Sequence, residues 1–360
     1  MSQREPELSR ELFGRVGDTD VHRYCLATPG GITVRVLDYG GVVQSLEAPD
    51  RDGVPANVVL GFSTLDDYVA NTLPDATRVF FGALIGRYAN RIAGGTFTLD
   101  GVEHRVPLNN GPNSLHGGPA GFDTKVWSAT ELRDDDGVGV RLELVSPDGD
   151  SGFPATVTAQ VTYRLDRDNR LSITYRATAD APTVLNLTNH TYWNLAGEGS
   201  GDVLGHELTL HASRFCPVDD TLIPVGDPTS VEASPFDFRL PVAIGERIDL
   251  PHPQLGAAGG YDHNWVLDAG SPFAARAVDP ASGRVLTMWT TQPGVQFYSG
   301  NFLTEELVGT SGRPYRRGAG FALEAQHFPD SPNRPDFPST VLRPGEVYEQ
   351  ETVFQLSIAD

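Results

Sequence analysis

The chain has 360 residues, long enough for one large domain or two ordinary ones and for a substantial core. Its formal charge of -20 excludes the Lys- and Arg-driven phosphate neutralisation on which nucleic-acid binding rests, and it counts against a phosphorylated substrate. No apolar run approaches the roughly 20 residues of a membrane helix, and neither a P-loop nor a GxGxxG between strand and helix is present.

The opening stretch, 1–14, is charged (MSQREPELSRELFG) and lacks the apolar centre of a secretory signal. It reads as an extension preceding one folded domain over 15–360. Cys25 and Cys216 lie far apart and form no CxxC pair, which reads as free thiols in a reducing compartment and places the chain in the cytoplasm.

From there the dominant period is two, the repeat of half-buried strands. Ile32, Val34 and Val36 alternate with Thr33 and Arg35, and Val140, Leu142 and Leu144 with Arg141 and Glu143. Val157, Ala159, Val161 and Tyr163 alternate with polar residues, as do Leu171, Ile173, Tyr175 and Ala177, and the last strand carries Phe354, Leu356 and Ile358. Turn pairs such as Asp100-Gly101 and Asp168-Asn169 punctuate these runs, since Gly and Asn tolerate the positive φ of tight hairpins. No segment sustains a long helical stripe. The pattern predicts an all-β fold, sandwich or barrel, with the Gly/Pro-rich stretches 109–121 and 251–260 read as site loops.

The residues able to carry chemistry are spread along this frame. Asn90 and Arg91 close GRYANRI, where 82–87 reads as a short buried strand; the Arg either presents planar donors to hydroxyls or pairs with a structural carboxylate. His116 sits in the loop NNGPNSLHGG, rich in amides and glycine. The stretch 183–197, TVLNLTNHTYWNLAG, opens as a strand and sets His190 among amides that can orient it and beside Tyr192, which can flatten against a ligand. An imidazole there is either a proton-transfer group or a hydrogen-bonded structural histidine. Asp262 in GGYDHNW is either an acceptor for vicinal hydroxyls or the cap of an Asx turn. Gln296 alternates with Val295 and Phe297 and shares a face with Tyr298. Glu324 projects opposite Phe321, Leu323 and Ala325, the profile of a carboxylate tuned towards neutrality or of one paired with an Arg. The two histidines lack the close spacing of a zinc site, so no metal is expected.

Six motifs in one order, GRYANRI, NSLHGG, NLTNHTYWNLAG, GYDHNW, QPGVQFYSGNF and ALEAQHFPDSPN, resemble those of the galactose mutarotases (aldose 1-epimerases). The resemblance runs from about residue 15 to the C-terminus and implies the large twisted antiparallel β-sandwich of that family. It implies interconversion of the α and β anomers of free aldohexoses such as galactose and glucose, with no cofactor and a monosaccharide as the small-molecule partner. Carried over position by position, it makes Glu324 the base at the C1 hydroxyl, His190 the acid at the ring oxygen and His116 an assisting group. It places Asn90, Arg91, Tyr192, Asp262 and Gln296 in sugar binding. The weakest agreement lies at 304–317, a rim loop.

Two other classes compete: a glycoside hydrolase using Asp262 and Glu324 as its carboxylate pair, and a non-catalytic sugar-binding protein on the same fold. A sugar-phosphate epimerase is disfavoured by the acidic charge. Apolar surroundings are expected to raise the Glu324 pKa, and nearby carboxylates such as Asp262 to raise that of His190. The sequence leaves the preferred aldose and the oligomeric state open.

Overall fold

A computed structural model describes residues 5–73 and 77–359. Three antiparallel sheets carry the fold. The nine-stranded sheet runs, in spatial order, Ser128–Asp134, Gly137–Ser146, Val157–Asp166, Arg170–Ala179, Tyr348–Ile358, Arg284–Thr290, Phe273–Val278, Glu207–Leu210 and Val242–Ala243. The period-two segments from Val140 onwards fall here, while that of Val34 and Val36 falls in the five-stranded sheet. Val157, Ala159, Val161 and Tyr163 are buried while the residues between them are not. Alternation is legible in such strands because one face meets the core and the other meets solvent.

The second sheet has five strands in chain order, from Glu7–Val16 to Pro55–Asn57. Its first strand corrects the reading of 1–14 as an extension, of which residues 1–4 lie outside the described residues. Glu7–Val16 pairs along Thr19–Ala27, from Glu7 opposite Ala27 to Val16 opposite Thr19. It is an edge strand, so most of its side chains face water, and only Leu8 enters the main core. That exposure hides its strand character in the sequence.

The third sheet has six strands and positions the site. Its order is Tyr192–Trp193, Phe321–Gln326, Gly294–Tyr298, Asp262–Val266, Arg214–Cys216, Thr229–Ser230. One face supplies Trp265, Val295, Phe297, Phe321, Leu323 and Ala325 to the core that all three sheets share, making an all-β sandwich. The Val, Leu and Phe side chains among them each contribute about 1.5–3 kcal/mol when fully buried. The only α-helices among the described residues are two short ones, Leu65–Ala70 and Pro253–Ala258. The second occupies most of the stretch 251–260, which reads from sequence as a site loop and in fact lines a separate surface hollow. No helix is long and apolar enough to cross a membrane among the described residues. Cys25 and Cys216 are both free thiols.

Candidate active site

The face of the six-stranded sheet turned away from the core carries the ionisable groups. Register sets Asn264, Gln296 and Glu324 in one row and Asp262, Tyr298, Ala322 and Tyr192 in the next. Side chains in register, or two apart on one strand, project to the same side, so Asp262, Gln296, Glu324 and Tyr192 share a face, and within their strands Gln296 and Glu324 point away from the apolar side as the alternation predicts.

Two loops close over this face. The stretch 183–197 is no continuous strand. It makes three two-residue contacts, Thr183–Val184 with 341–342, Thr188–Asn189 with Leu84–Ile85, and Tyr192–Trp193 with 321–322. The predicted strand over 82–87 shrinks likewise to Leu84–Ile85. The reason is common to both: nearly all of these residues are buried on every side, and their backbone groups change partner every few residues. His190 donates its N–H to Ala83 O, and Gly82 donates to His190 O.

The second loop brings His116. Asn90 and His116 both adopt left-handed backbone, φ 63 and 52, and each holds the other. His116 N–H donates to Asn90 O at 3.0 Å, and Asn90 N–H donates to His116 Nδ1 at 3.1 Å. Asn90 Oδ1 also accepts the Arg91 N–H at 2.9 Å. The next residue, Gly117, has φ 83, and a Cβ there would stand 2.0 Å from Gly86 O. Only glycine permits this approach, which seats the histidine loop on the 86–91 segment.

Together these elements line a cavity of about 600 Å³. Asn90, Arg91, His116, His190, Tyr192, Asp262 and Glu324 reach its wall. Gln296 does not: it is buried beneath Asp262 and donates from Nε2 to Asp262 Oδ1 at 2.7 Å. Phe80, which the sequence does not single out, is also on the wall. The His190 ring lies between Tyr192, centroids 4.9 Å apart and 27° from parallel, and Phe80 at 5.8 Å and 24°. His116 meets His190 edge-on at 5.2 Å. No sequence signal marks Phe80, because its role comes from a left-handed φ of 56 and from tertiary stacking.

His190 Nε2 stands 3.5 Å from Glu324 Oε1, both side chains being almost wholly buried. Burial pushes Glu324 well above the ordinary carboxyl range; Asp262 adds to the rise and Arg91 opposes it. Burial lowers His190 to about 4. The expectation that neighbouring carboxylates raise His190 is therefore corrected: loss of water around the ring dominates. Burial also takes His116 well below its ordinary value, with further lowering from His190 and Arg91. Asp262 is raised by burial, against Arg91 and the Gln296 hydrogen bond. Burial lowers Arg91, which Asp262 and Glu324 oppose.

His116, His190 and Glu324 place potential metal-ligand atoms within 4.8 Å of one another. The His116 tautomer argues against a metal site. Because Nδ1 accepts the Asn90 N–H, the neutral ring carries its proton on Nε2 and offers a donor there. Two ready ligands remain where zinc commonly takes three or four.

A family model described as aldose 1-epimerase matches residues 22–355. The chain belongs to the aldose 1-epimerase family. Relatives in the family include galactose mutarotase of Bos taurus, 44% identical over 356 residues and covering 98% of this chain and 99% of that protein. Aldose 1-epimerase of Escherichia coli (strain K12) is 41% identical over 338 residues, 92% of this chain and 93% of that one. Among solved structures, an aldose epimerase homologue from C. elegans superposes with TM-score 0.82 at 31% identity, covering 99% of this chain and 100% of that one. Galactose 1-epimerase from Lactobacillus acidophilus NCFM gives 0.87 at 26%, with the same coverage. The aldose 1-epimerase fold expected from the motifs is thus the fold observed.

Proposed function

We propose that this aldose 1-epimerase interconverts the α and β anomers of free aldohexoses, galactose and glucose among them, in the cytoplasm and without a cofactor. The observation that carries the reading is the buried contact between His190 and Glu324 on the wall of a sugar-sized cavity.

Ring opening requires that the C1 hydroxyl lose a proton and the ring oxygen gain one. Glu324 takes the first and His190 supplies the second. The pair begins as carboxylate and imidazolium and ends, with the sugar open, as carboxylic acid and neutral imidazole. Rotation about C1–C2 presents the other carbonyl face. Closure then runs the same two transfers backwards and restores the pair. Burial favours the neutral form of both groups, so the environment favours the state that accompanies the open-chain aldehyde. The charged state is supported by sugar hydroxyls replacing water around the carboxylate and by Arg91 nearby.

His116, a neutral donor at Nε2, helps hold the ring oxygen. Asn90, Arg91, Tyr192 and Asp262 bind and orient the remaining hydroxyls. Gln296 acts through Asp262, whose Oδ1 it holds. The Arg78 guanidinium at the cavity edge is paired with buried Asp123 and has carbonyl partners at Gly118 and Pro119, so it offers little to a phosphate. This supports a neutral sugar over a sugar phosphate. The glycoside hydrolase reading is weakened because Asp262, the second carboxylate it needs, has its Oδ1 held by the Gln296 amide.

Polarimetry on freshly dissolved α-D-galactose and α-D-glucose tests the proposal. Accelerated approach to the equilibrium rotation, unaffected by exhaustive chelation, is expected. Release of nitrophenol from nitrophenyl glycosides without any effect on anomer exchange would favour the hydrolase instead.

A further inference from the structure

Asn110-Gly111 is the only Asn-Gly pair in the chain, and it lies in the loop that delivers His116. Asn110 lines the sugar cavity, and its Oδ1 accepts a hydrogen bond from Arg91 Nε at 2.9 Å. Its Nδ2 has no acceptor among the described residues, and neither has the N–H of Gly111. The two residues begin a tight turn closed by the Asn113 N–H on Asn110 O at 3.0 Å. Gly111 is exposed, its φ is 56, and no atom lies within 4 Å of where a Cβ would stand. An Asn side-chain carbonyl, polarised by a guanidinium, is therefore followed by an unhindered backbone nitrogen that no hydrogen bond restrains.

We propose that Asn110 is a self-modification site, converting to aspartate and isoaspartate with Arg91 as the activating donor. The Gly111 nitrogen gives its proton to hydroxide and bonds to Asn110 Cγ. The Arg91 Nε–H holds the negative charge that develops on Oδ1, as an oxyanion donor does. The Cγ–Nδ2 bond breaks and ammonia leaves, forming a five-membered imide. Water then opens the imide at either carbonyl, giving the normal or the iso linkage; overall one water is consumed and one ammonia released. The product sets a carboxylate against Arg91 where a neutral amide stood, competing with sugar hydroxyls for the guanidinium. The iso form also lengthens the backbone of the turn, next to the Asn109 side chain that pins Leu115 through two hydrogen bonds just before His116.

The chemical step stands apart from the proposed activity; only its kinetic consequence rests on that reading, and the two are measured separately. Folded protein is held at mildly alkaline pH and its peptides are followed by mass spectrometry. The Asn110 peptide is expected to gain the acid form several-fold faster than peptides carrying Asn71 or Asn169, with both linkages present. In Arg91→Lys the same conversion is expected to slow several-fold. Asn110 reacting no faster than Asn71 and Asn169 would overturn the site, whether or not the variant folds. Equal rates in wild type and a folded Arg91→Lys would overturn the part given to Arg91. Asn110→Asp then reads the consequence: KM rises several-fold while kcat changes less. An unchanged KM would show that the modification is silent for the sugar.

Discussion

His190 Nε2 lies 3.5 Å from Glu324 Oε1, and the burial around them moves their proton affinities in opposite directions. One proton shared by this pair is the active count. With two, no base remains; with none, no acid remains. Because Glu324 is raised and His190 lowered to about 4, the order of ionisation is the reverse of that of free Glu and His.

The pH dependence of kcat/KM follows from this order. A bell is expected whose acid limb reflects a second proton entering the pair, chiefly at His190, and whose alkaline limb reflects loss of the proton held by Glu324. The limbs belong to the coupled pair. The other charged groups on the wall are Arg78, Arg91 and Asp262, while His116 stays neutral because burial, with His190 and Arg91, lowers its proton affinity well below the ordinary value. In His190→Asn the alkaline limb should vanish, because Glu324 alone is left to titrate and works as a base. The residual activity should rise with pH along the ionisation of Glu324, on the alkaline side of the wild-type acid limb. A rise coinciding with the wild-type acid limb would instead restore the ordinary ordering.

Glu324→Gln and His190→Asn should each fold normally and lose turnover by about 10²–10⁴-fold, the usual effect of removing a proton-transfer group. Asp262→Asn and Gln296→Leu should instead raise KM, since one removes a hydroxyl acceptor and the other frees the oxygen that Gln296 holds at 2.7 Å. Steady-state kinetics on each variant separates the two classes. Near-normal turnover in Glu324→Gln, with Asp262→Asn inactive, would exchange their roles.

Gly117→Ala should destabilise the fold by more than Gly101→Ala. Both sites have positive φ, 83 and 81, which costs an alanine about 1–2 kcal/mol. At Gly101 the added methyl meets nothing within 4 Å, whereas at Gly117 it meets the Gly86 backbone carbonyl at 2.0 Å. Urea midpoints measure the difference, and Gly117→Ala should also lose activity because His116 is displaced. Equal midpoints would mean that the two loops yield easily.

Acid should weaken the fold through its buried neutral histidines, against the smaller number of site carboxylates, Glu324 and Asp262, whose raised proton affinity works the other way. His190, His206 and His327 are each lowered by burial to about 4, and His263 to about 3. His206 Nε2 accepts the Leu195 N–H and His263 Nδ1 the Asp262 N–H, bonds that need the neutral ring. Below the unfolded value near 6.5, the unfolded chain takes up protons that the folded chain refuses, so stability falls as pH drops towards 4. Denaturation midpoints at stepped pH should decline across that window. A flat profile down to pH 5 would contradict the buried, neutral state of these rings.

Four neighbouring strands of the nine-stranded sheet, Gly137–Ser146, Val157–Asp166, Arg170–Ala179 and Tyr348–Ile358, were legible because they are half-buried and alternate. So were the pairing of Gln296 with Tyr298 on one face of their strand and the projection of Glu324 away from its apolar neighbours, though not that these two faces are one. The segments around Leu84 and Thr188 were not, since residues buried on all sides carry no alternation and their pairing depends on partners a hundred residues away. Glu7–Val16 hid for the opposite reason, being an edge strand dressed in charges. Motifs identified the ionisable residues at the cavity, but the stacking of Phe80, the retreat of Gln296 beneath Asp262 and the lowered affinity of His190 arise only when chain segments meet.

The most direct test of the central claim follows the anomeric oxygen. Proton exchange between Glu324, His190 and the sugar opens the ring by breaking the bond between C1 and the ring oxygen, so the C1 hydroxyl oxygen stays attached throughout. A sugar carrying heavy oxygen at that hydroxyl, equilibrated by the enzyme in ordinary water, should keep its label through many anomer interconversions beyond the uncatalysed exchange of the free sugar. Loss of label in step with each interconversion would mean that the C1 hydroxyl departs and water replaces it, and the ring-opening account would be wrong.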